Sequence, residues 1–321
     1  MARRLRLGKT DIEVSPVGLG CWQFSGGQGL VGKFWRAIPQ QAVNDIVEAA
    51  LDGGINWFDT AEMYGRGASE RALAAALTRA GKAHGDVVVA TKWSPFLRTA
   101  ASIASTLGQR LESLAPFAID LYQVHNPFGF SPVESEMRAM ADLVAQRKIR
   151  AVGVSNFNAV RMRRAHAALA RHGIVLASNQ VKYSLLDRRV ERNGIVAAAR
   201  ELGVTIIAYS PLEQGLLTGR YHEHPESLRA LPWPRRWTSQ HRLQRSRPVV
   251  EALARIAREH NATPSQVALA WLCQFHPGLV AVIPGASRVE QVVETRQAMD
   301  LVLPQRELQR LDDISRPGGP A

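Results

Sequence analysis

The chain has 321 residues, 46% of them hydrophobic, which is enough for a large core and fits either two average domains or one large α/β barrel. Its net charge of +12 raises nucleic acid as a partner, but the arginines are spread along amphipathic stretches such as 161–172, and neither an RNP-like motif nor zinc-finger spacing occurs. Cys21 and Cys273 make no C-x-x-C and no disulfide framework, the basic start MARRLRLGKT lacks an apolar signal region, and no apolar run approaches the ~18–20 residues of a membrane helix, so a soluble, cytoplasmic protein is expected.

LRLGKTDIEV opens the chain as a short hairpin around GKTD. After it one rhythm repeats: short β-branched or apolar runs alternate with alanine-rich amphipathic segments. The candidate strands are VGLGCW (17–22), INWFDT (55–60), DVVVATKW (86–93), IDLYQVH (119–125), IRAVGVSN (149–156), LASNQV (176–181), VTIIAYS (204–210) and LVAVIP (279–284). Strict alternation implies parallel βαβ units, and eight of them within this length imply a closed (β/α)8 TIM barrel, a single domain over 1–321, with the hairpin capping one end. Residues 211–247 read as a long loop holding four prolines, Trp233 and Trp237, followed by an extra helix from Pro248. A second extra helix, PQRELQRLDDIS, starts at Pro304.

The stretch GGQGLVGK (26–33) tests a phosphate-loop reading. Gly27, Gly29 and Gly32 fit G-x-G-x-x-G, yet no helix starts at the glycines, and Phe34 stands where a P-loop needs a hydroxyl. The segment therefore reads as a surface loop edging the substrate side, with the next helix starting at Pro39.

In such barrels chemistry gathers where strands end. Asp59 ends the second strand with Tyr64 five residues on, Lys92 ends the third, and His125 ends the fourth. A carboxylate, a phenol, an amine and an imidazole at adjacent strand ends suggest proton transfer to a carbonyl. Lys92 would lower the Tyr64 pKa, Asp59 would keep Lys92 charged and oriented, and His125 would hydrogen-bond the substrate oxygen. Taken singly each has a structural reading: a helix N-cap for Asp59, a snorkelling lysine, a loop tyrosine, a satisfied histidine.

From Leu5 to about Asp313 the sequence resembles the aldo-keto reductases, nearer their bacterial and plant pyridoxal-reductase-like branch, through DTAEMYG, ATKW, QVHNP, GVSNF, NQVKYS, AYSPLEQGLLTG and IPGAS. The resemblance implies NAD(P)H-dependent reduction of an aldehyde or ketone, with Tyr64 as proton donor, Lys92 and Asp59 as its tuning pair and His125 as the orienting group. It further implies that Ser155, Asn156 and Gln180 bond the nicotinamide carboxamide, that Tyr209 stacks on the nicotinamide, and that Ser210, Pro211, Leu212, Gln214 and Gly215 wrap the pyrophosphate. Ile283 completes that run of cofactor positions.

One departure bears on cofactor choice. Many members carry Lys and Ser after IP and an Arg further on; here Gly285, Ala286 and Gln291 stand at those positions. Ser287 and Arg288 at a helix N-terminus offer a phosphate site instead, so NADPH is favoured over NADH, with Glu294 matching the adenine contact. Trp22, Met63, Trp93 and Phe128 are expected to line the substrate pocket, with Trp233 or Trp237 closing over it, an aromatic mouth suited to aromatic or alicyclic carbonyls, pyridoxal included. His222 and His224 lack a metal-site pattern, so no metal is expected. Beside the reductase stand two readings of other classes: an NADPH-sensing regulatory subunit like the potassium-channel β subunits, and a basic nucleic-acid binder. The sequence leaves substrate, direction and oligomeric state open.

Overall fold

The computed structural model describes residues 4–29, 34–231 and 233–316. Strands β1 (Leu5–Arg6) and β2 (Glu13–Val14) form the expected antiparallel hairpin. Eight further strands lie in one sheet in chain order: β3 (Leu19–Gly20), β4 (Trp57–Asp59), β5 (Val88–Trp93), β6 (Ile119–Val124), β7 (Ile149–Ser155), β8 (Leu176–Lys182), β9 (Thr205–Tyr209) and β10 (Val280–Ile283). Every neighbouring pair is parallel. Parallel bridges from Val17 to Val282 and from Gly20 to Gly285 join β3 to β10, closing the barrel.

Helices α1 (Gln40–Asp52), α2 (Ala68–Arg79), α3 (Ala101–Leu114), α4 (Val133–Ala145) and α5 (Ala159–Ala170) follow the first strands. The later part of the chain carries α6 (Arg189–Arg192), α7 (Ile195–Leu202), α8 (Arg220–Glu223), α9 (Trp233–Glu259), α10 (Pro264–Phe275), α11 (Val289–Arg296) and α12 (Gln305–Ser315). Helix α1 shows why these segments coil: behind Pro39, it buries Val43, Ile46, Val47 and Ala50, the i, i+3, i+4, i+7 stripe of one face.

Period-two alternation sorts each strand's side chains between two cores. Ala90, Leu121, Ala151, Ile207 and Ala281 point into the barrel and meet Leu7, Ile12 and Val14 of the hairpin, which plugs the end opposite the site. The outward residues join the larger core beneath the helices. Toward the other end the barrel interior turns polar, and Gly153 makes room there: a Cβ would stand 2.5 Å from Ser178 Oγ and 2.9 Å from Gln123 Cγ.

Residues 211–247 differ from the expected loop. They hold a 3-10 turn at Glu213–Thr218, α8, a second 3-10 turn at Pro225–Ala230, and the first half of the 27-residue α9, which carries Pro248 inside it. Arg and Gln are good helix formers. The proline's cost of about 3 kcal/mol is offset where α9 buries Val249, Val250, Leu253 and Ile256. Gly32 of the glycine stretch and the side chains of Trp233 and Trp237 lie outside the described residues.

Candidate active site

A cavity of about 1030 Å³ opens at the C-terminal ends of the strands, bordered by Asp59, Tyr64 and His125 at one side and by Arg288 and Glu294 at the other. Asp59 lines its floor, with Lys92 paired to it just beneath, their side chains 2% and 0% exposed. Lys92 Nζ donates to Asp59 Oδ1 and, at 2.9 Å, to Thr60 O, and stands 3.5 Å from Tyr64 Oη. The second carboxylate oxygen of Asp59 accepts from Gln123 Nε2 at 3.0 Å and Gln180 Nε2 at 2.8 Å. These bonds replace the helix-cap alternative for Asp59. The His125 ring meets Tyr64 edge-on, with centroids 5.7 Å apart.

Electrostatics follow from burial. For Lys92 burial alone would pull the amine down, but Asp59 and then Tyr64 more than offset it, so the ammonium is held above its ordinary value. His125 is pushed well below the usual imidazole range, first by burial and then by Lys92, and is neutral. Tyr64 departs from the expectation. Burial raises its phenol more than Lys92 lowers it, and Asp59 adds to the rise, so it lies above, not below, the ordinary tyrosine value.

The later strand ends bring the remaining expected positions to the same cavity. Ser155 Oγ donates to Gln180 O at 2.9 Å, and Tyr209 Oη donates to Asn156 Oδ1 at 3.0 Å. Gln180 reaches Asp59 only because the β7–β8 pairing shifts register at Val152/Gly153. With Ala177 already inside the barrel, strict alternation would have sent Gln180 outward. Between Ser210 and Gly215 the backbone is unusual: Ser210, Glu213 and Gln214 all carry φ between 48° and 58°. Such left-handed residues cluster where a chain must wrap tightly.

Residues 16–316 match the model of the aldo/keto reductase family. This chain belongs to that family. It is 40% identical over 306 residues to an oxidoreductase of Mycobacterium tuberculosis, covering 95% of this chain and 90% of that one. It is 32% identical over 310 residues to chloroplastic pyridoxal reductase of Arabidopsis thaliana, covering 92% and 81%. Among solved structures it resembles an aldo-keto reductase of Klebsiella pneumoniae in complex with NADPH, at TM-score 0.76 and 27% identity over 99% of this chain and 96% of that one. A thermostable aldo-keto reductase crystallised with epalrestat gives TM-score 0.77 and 29% identity over 97% and 99%.

Gly285 stands directly against the side chain of Gln23. A Cβ there would stand 2.3 Å from Gln23 Oε1, so glycine leaves room for Gln23 to lie along the cavity wall. That oxygen is buried without a hydrogen-bond partner among the described residues. Ser287 and Arg288 lie at the start of α11 as expected, although Ser287 N–H already donates to Gln291 Oε1 at 2.9 Å. Glu294 accepts from Thr263 Oγ1 at 2.6 Å.

Two substrate-side expectations are corrected. Trp93 is fully buried in the outer core, its Nε1 donating to Ser102 Oγ at 3.0 Å. Alternation explains it, since Lys92 points inward and its neighbour must point out. Phe128 is 71% exposed and lies off the cavity. Trp22 does line it, with Met63, and stacks on Tyr64 at 5.8 Å and on Phe34 at 5.1 Å, Trp35 standing edge-on. The glycine stretch thus leads into the wall beside Tyr64. Sequence reasoning missed Gln123, Gln23, Trp35 and Arg220. Gln123 was legible: it precedes His125 by two residues and so shares its face of the strand. His222, set aside as a ligand, contacts Leu243 O and Ser246 Oγ. Among the described residues no group of three or more His, Cys, Asp or Glu gathers as a metal site.

Proposed function

We propose that the protein reduces an aldehyde or ketone with NADPH, Tyr64 acting as general acid. The observation that supports this is the convergence of Asp59, Tyr64 and His125 on one cavity long enough to continue to Arg288, with Lys92 held beneath it against Asp59 and Tyr64. The nicotinamide cofactor would lie along Ser155, Asn156, Gln180 and Tyr209, its phosphates toward Ser210–Gly215, Ile283, Gly285 and Ser287, and would supply the hydride. The unpartnered Gln23 oxygen on that wall fits a hydroxyl donor of such a ligand.

The raised phenol keeps the Tyr64 proton on at neutral pH, ready to pass to the carbonyl oxygen. Lys92 compensates the negative charge that forms on Tyr64, and Asp59 keeps the ammonium in place. Neutral His125 donates an N–H to the same oxygen and sets its angle. Arg288, more than half exposed at the start of α11, favours NADPH over NADH because a guanidinium pairs bidentately with a phosphate; the NADPH complex of the similar Klebsiella enzyme supports the same reading.

The Trp22–Tyr64 stack favours planar aromatic or alicyclic carbonyls. The test is NADPH and NADH oxidation against aromatic aldehydes, pyridoxal and short sugars, with Tyr64→Phe beside the wild type. Loss of the general acid should lower the rate about 10²–10⁴-fold. Tight NADPH binding without turnover on any carbonyl would overturn the reductase reading and move the protein to the regulatory class.

A further inference from the structure

Between Asp59 and Tyr64 lies a carboxylate to which the proposed chemistry gives no part. Glu62 is 6% exposed, and its two oxygens are held from two directions. Arg98, from the loop after β5, ion-pairs with Oε1. Arg110, from α3, stands 3.1 Å from Oε2. Behind it the network continues. Arg110 Nε lies 2.9 Å from Glu70 Oε2, an ion pair without hydrogen-bond alignment, and Glu70 Oε1 accepts from Thr91 Oγ1 at 2.7 Å. Thr91 immediately precedes Lys92. Two carboxyl groups and two guanidiniums therefore join the turn that carries Tyr64 to the strand that carries Lys92, with burial pushing Glu70 up to about 7.

The main chain extends the connection. Glu62 N–H donates to Lys92 O at 3.4 Å, and Glu62 O accepts from Gly67 N, which closes the turn around Tyr64. Arg98 O accepts from Phe130 N at 2.9 Å, so the same arginine ties in the loop that follows His125. Arg98 thus touches all three segments that present Tyr64, Lys92 and His125, while contacting none of those side chains.

We propose that Glu62, clamped by Arg98 and Arg110, is a positioning residue that sets the Tyr64 hydroxyl against Lys92 and His125. This rests on the reading of Tyr64 as proton donor. The Tyr64–Lys92 separation of 3.5 Å is at the limit of a hydrogen bond, so a small displacement of the turn breaks it. Proton transfer falls steeply with such displacement, by as much as about 10²-fold for 1 Å. Arg98 holds Glu62 through one nitrogen only, so lysine can take over the contact, whereas methionine cannot.

The experiment compares Arg98→Met, Arg98→Lys and Glu62→Gln with the wild type. Two readouts are needed: kcat and KM with a carbonyl that the wild type reduces, and the ¹³Cζ resonance of Tyr64 in tyrosine-labelled protein, assigned by its loss in Tyr64→Phe. Arg98 is 38% exposed, so its variants should fold. Expected are a kcat lower by about tenfold in Arg98→Met and Glu62→Gln, with KM and NADPH affinity unchanged, a displaced Tyr64 resonance, and recovery of both in Arg98→Lys. Unchanged kcat and an unmoved resonance in both loss variants would overturn the proposal, leaving the network a purely structural one. If the wild type reduces no carbonyl, the reductase reading fails on its own, and the resonance alone decides whether Glu62 positions Tyr64.

Discussion

Replacing Lys92 by methionine tests the floor of the cavity as a matter of charge. Lys92 and Asp59 are 0% and 2% exposed, so the variant leaves a carboxylate in the barrel with no cation beside it. Breaking a buried ion pair by removing one partner costs about 3–5 kcal/mol. Here Asp59 keeps its amide donors Gln123 at 3.0 Å and Gln180 at 2.8 Å, and hydrogen bonds to a charged group are worth about 1.5–3 kcal/mol each, so the lower end of that range, about 3 kcal/mol, is expected. The double variant Asp59→Asn, Lys92→Met removes the stranded charge while keeping an acceptor for the two glutamines. It should regain about 1–2 kcal/mol over the single variant, a coupling that independent sites do not show. Urea unfolding of wild type, both single variants and the double variant, followed by circular dichroism, measures the cycle. A Lys92→Met protein as stable as the double variant within about 0.5 kcal/mol would refute the claim that the Asp59 charge depends on Lys92.

Gln123→Leu removes one of two amide donors to Asp59 Oδ2, leaving Gln180, and should cost about 1–3 kcal/mol in stability together with a fall in kcat; equal stability would show that Gln123 is dispensable to the carboxylate. Stability should fall on the acid side through His125. Its folded-state pKa lies well below the ordinary 6.5, so the unfolded chain takes up the proton first, and stability that is present above pH 6.5 is lost as the pH drops, by up to about 1.4 kcal/mol per unit for one proton. Burial lowers His222 and His276 as well, so the slope in urea titrations should shrink in His125→Asn without vanishing. Because the Tyr64 phenol is raised above 10, kcat should hold through neutral pH and decline only in strongly alkaline buffer; a decline centred near pH 8 would contradict it.

What the sequence disclosed depended on how local the cause was. Asp59, Lys92 and His125 were legible because strand ends in a parallel barrel all point to one face, and a titratable residue at three consecutive ends needs no distant information. The same periodicity should have excluded Trp93, since Lys92 and Trp93 cannot both face inward. Gln180 was assigned to the site by resemblance alone, since period-two reasoning from Ala177 would have turned it outward; the register shift against β7 has no mark in the sequence. Pro248 misled because proline is common at a helix start and rare inside one, and the apolar face that carries α9 past it emerges only from packing. The sign of the Tyr64 shift was hidden for the same reason: the neighbouring ammonium is written in the sequence, but the burial that outweighs it is not.

The pairing of Gln23 with Gly285 shows how such hidden causes can be tested. Restoring the lysine that many relatives carry at 285 would push its Cβ to 2.3 Å from Gln23 Oε1 and 2.4 Å from Nε2. One of the two must move, and overpacking of this kind costs about 1–3 kcal/mol. Gly20 and Gly285 also bridge β3 to β10, so the strain would fall on the seam that closes the barrel. Gly285→Lys alone should therefore lower both the urea midpoint and NADPH affinity. Adding Gln23→Gly opens the space and lets the ammonium reach the phosphates, so the double variant should recover stability and bind NADPH at least as tightly as the wild type. If Gly285→Lys is tolerated with Gln23 in place, the glycine is not explained by its neighbour, and the departure from the family pattern at 285 has another origin.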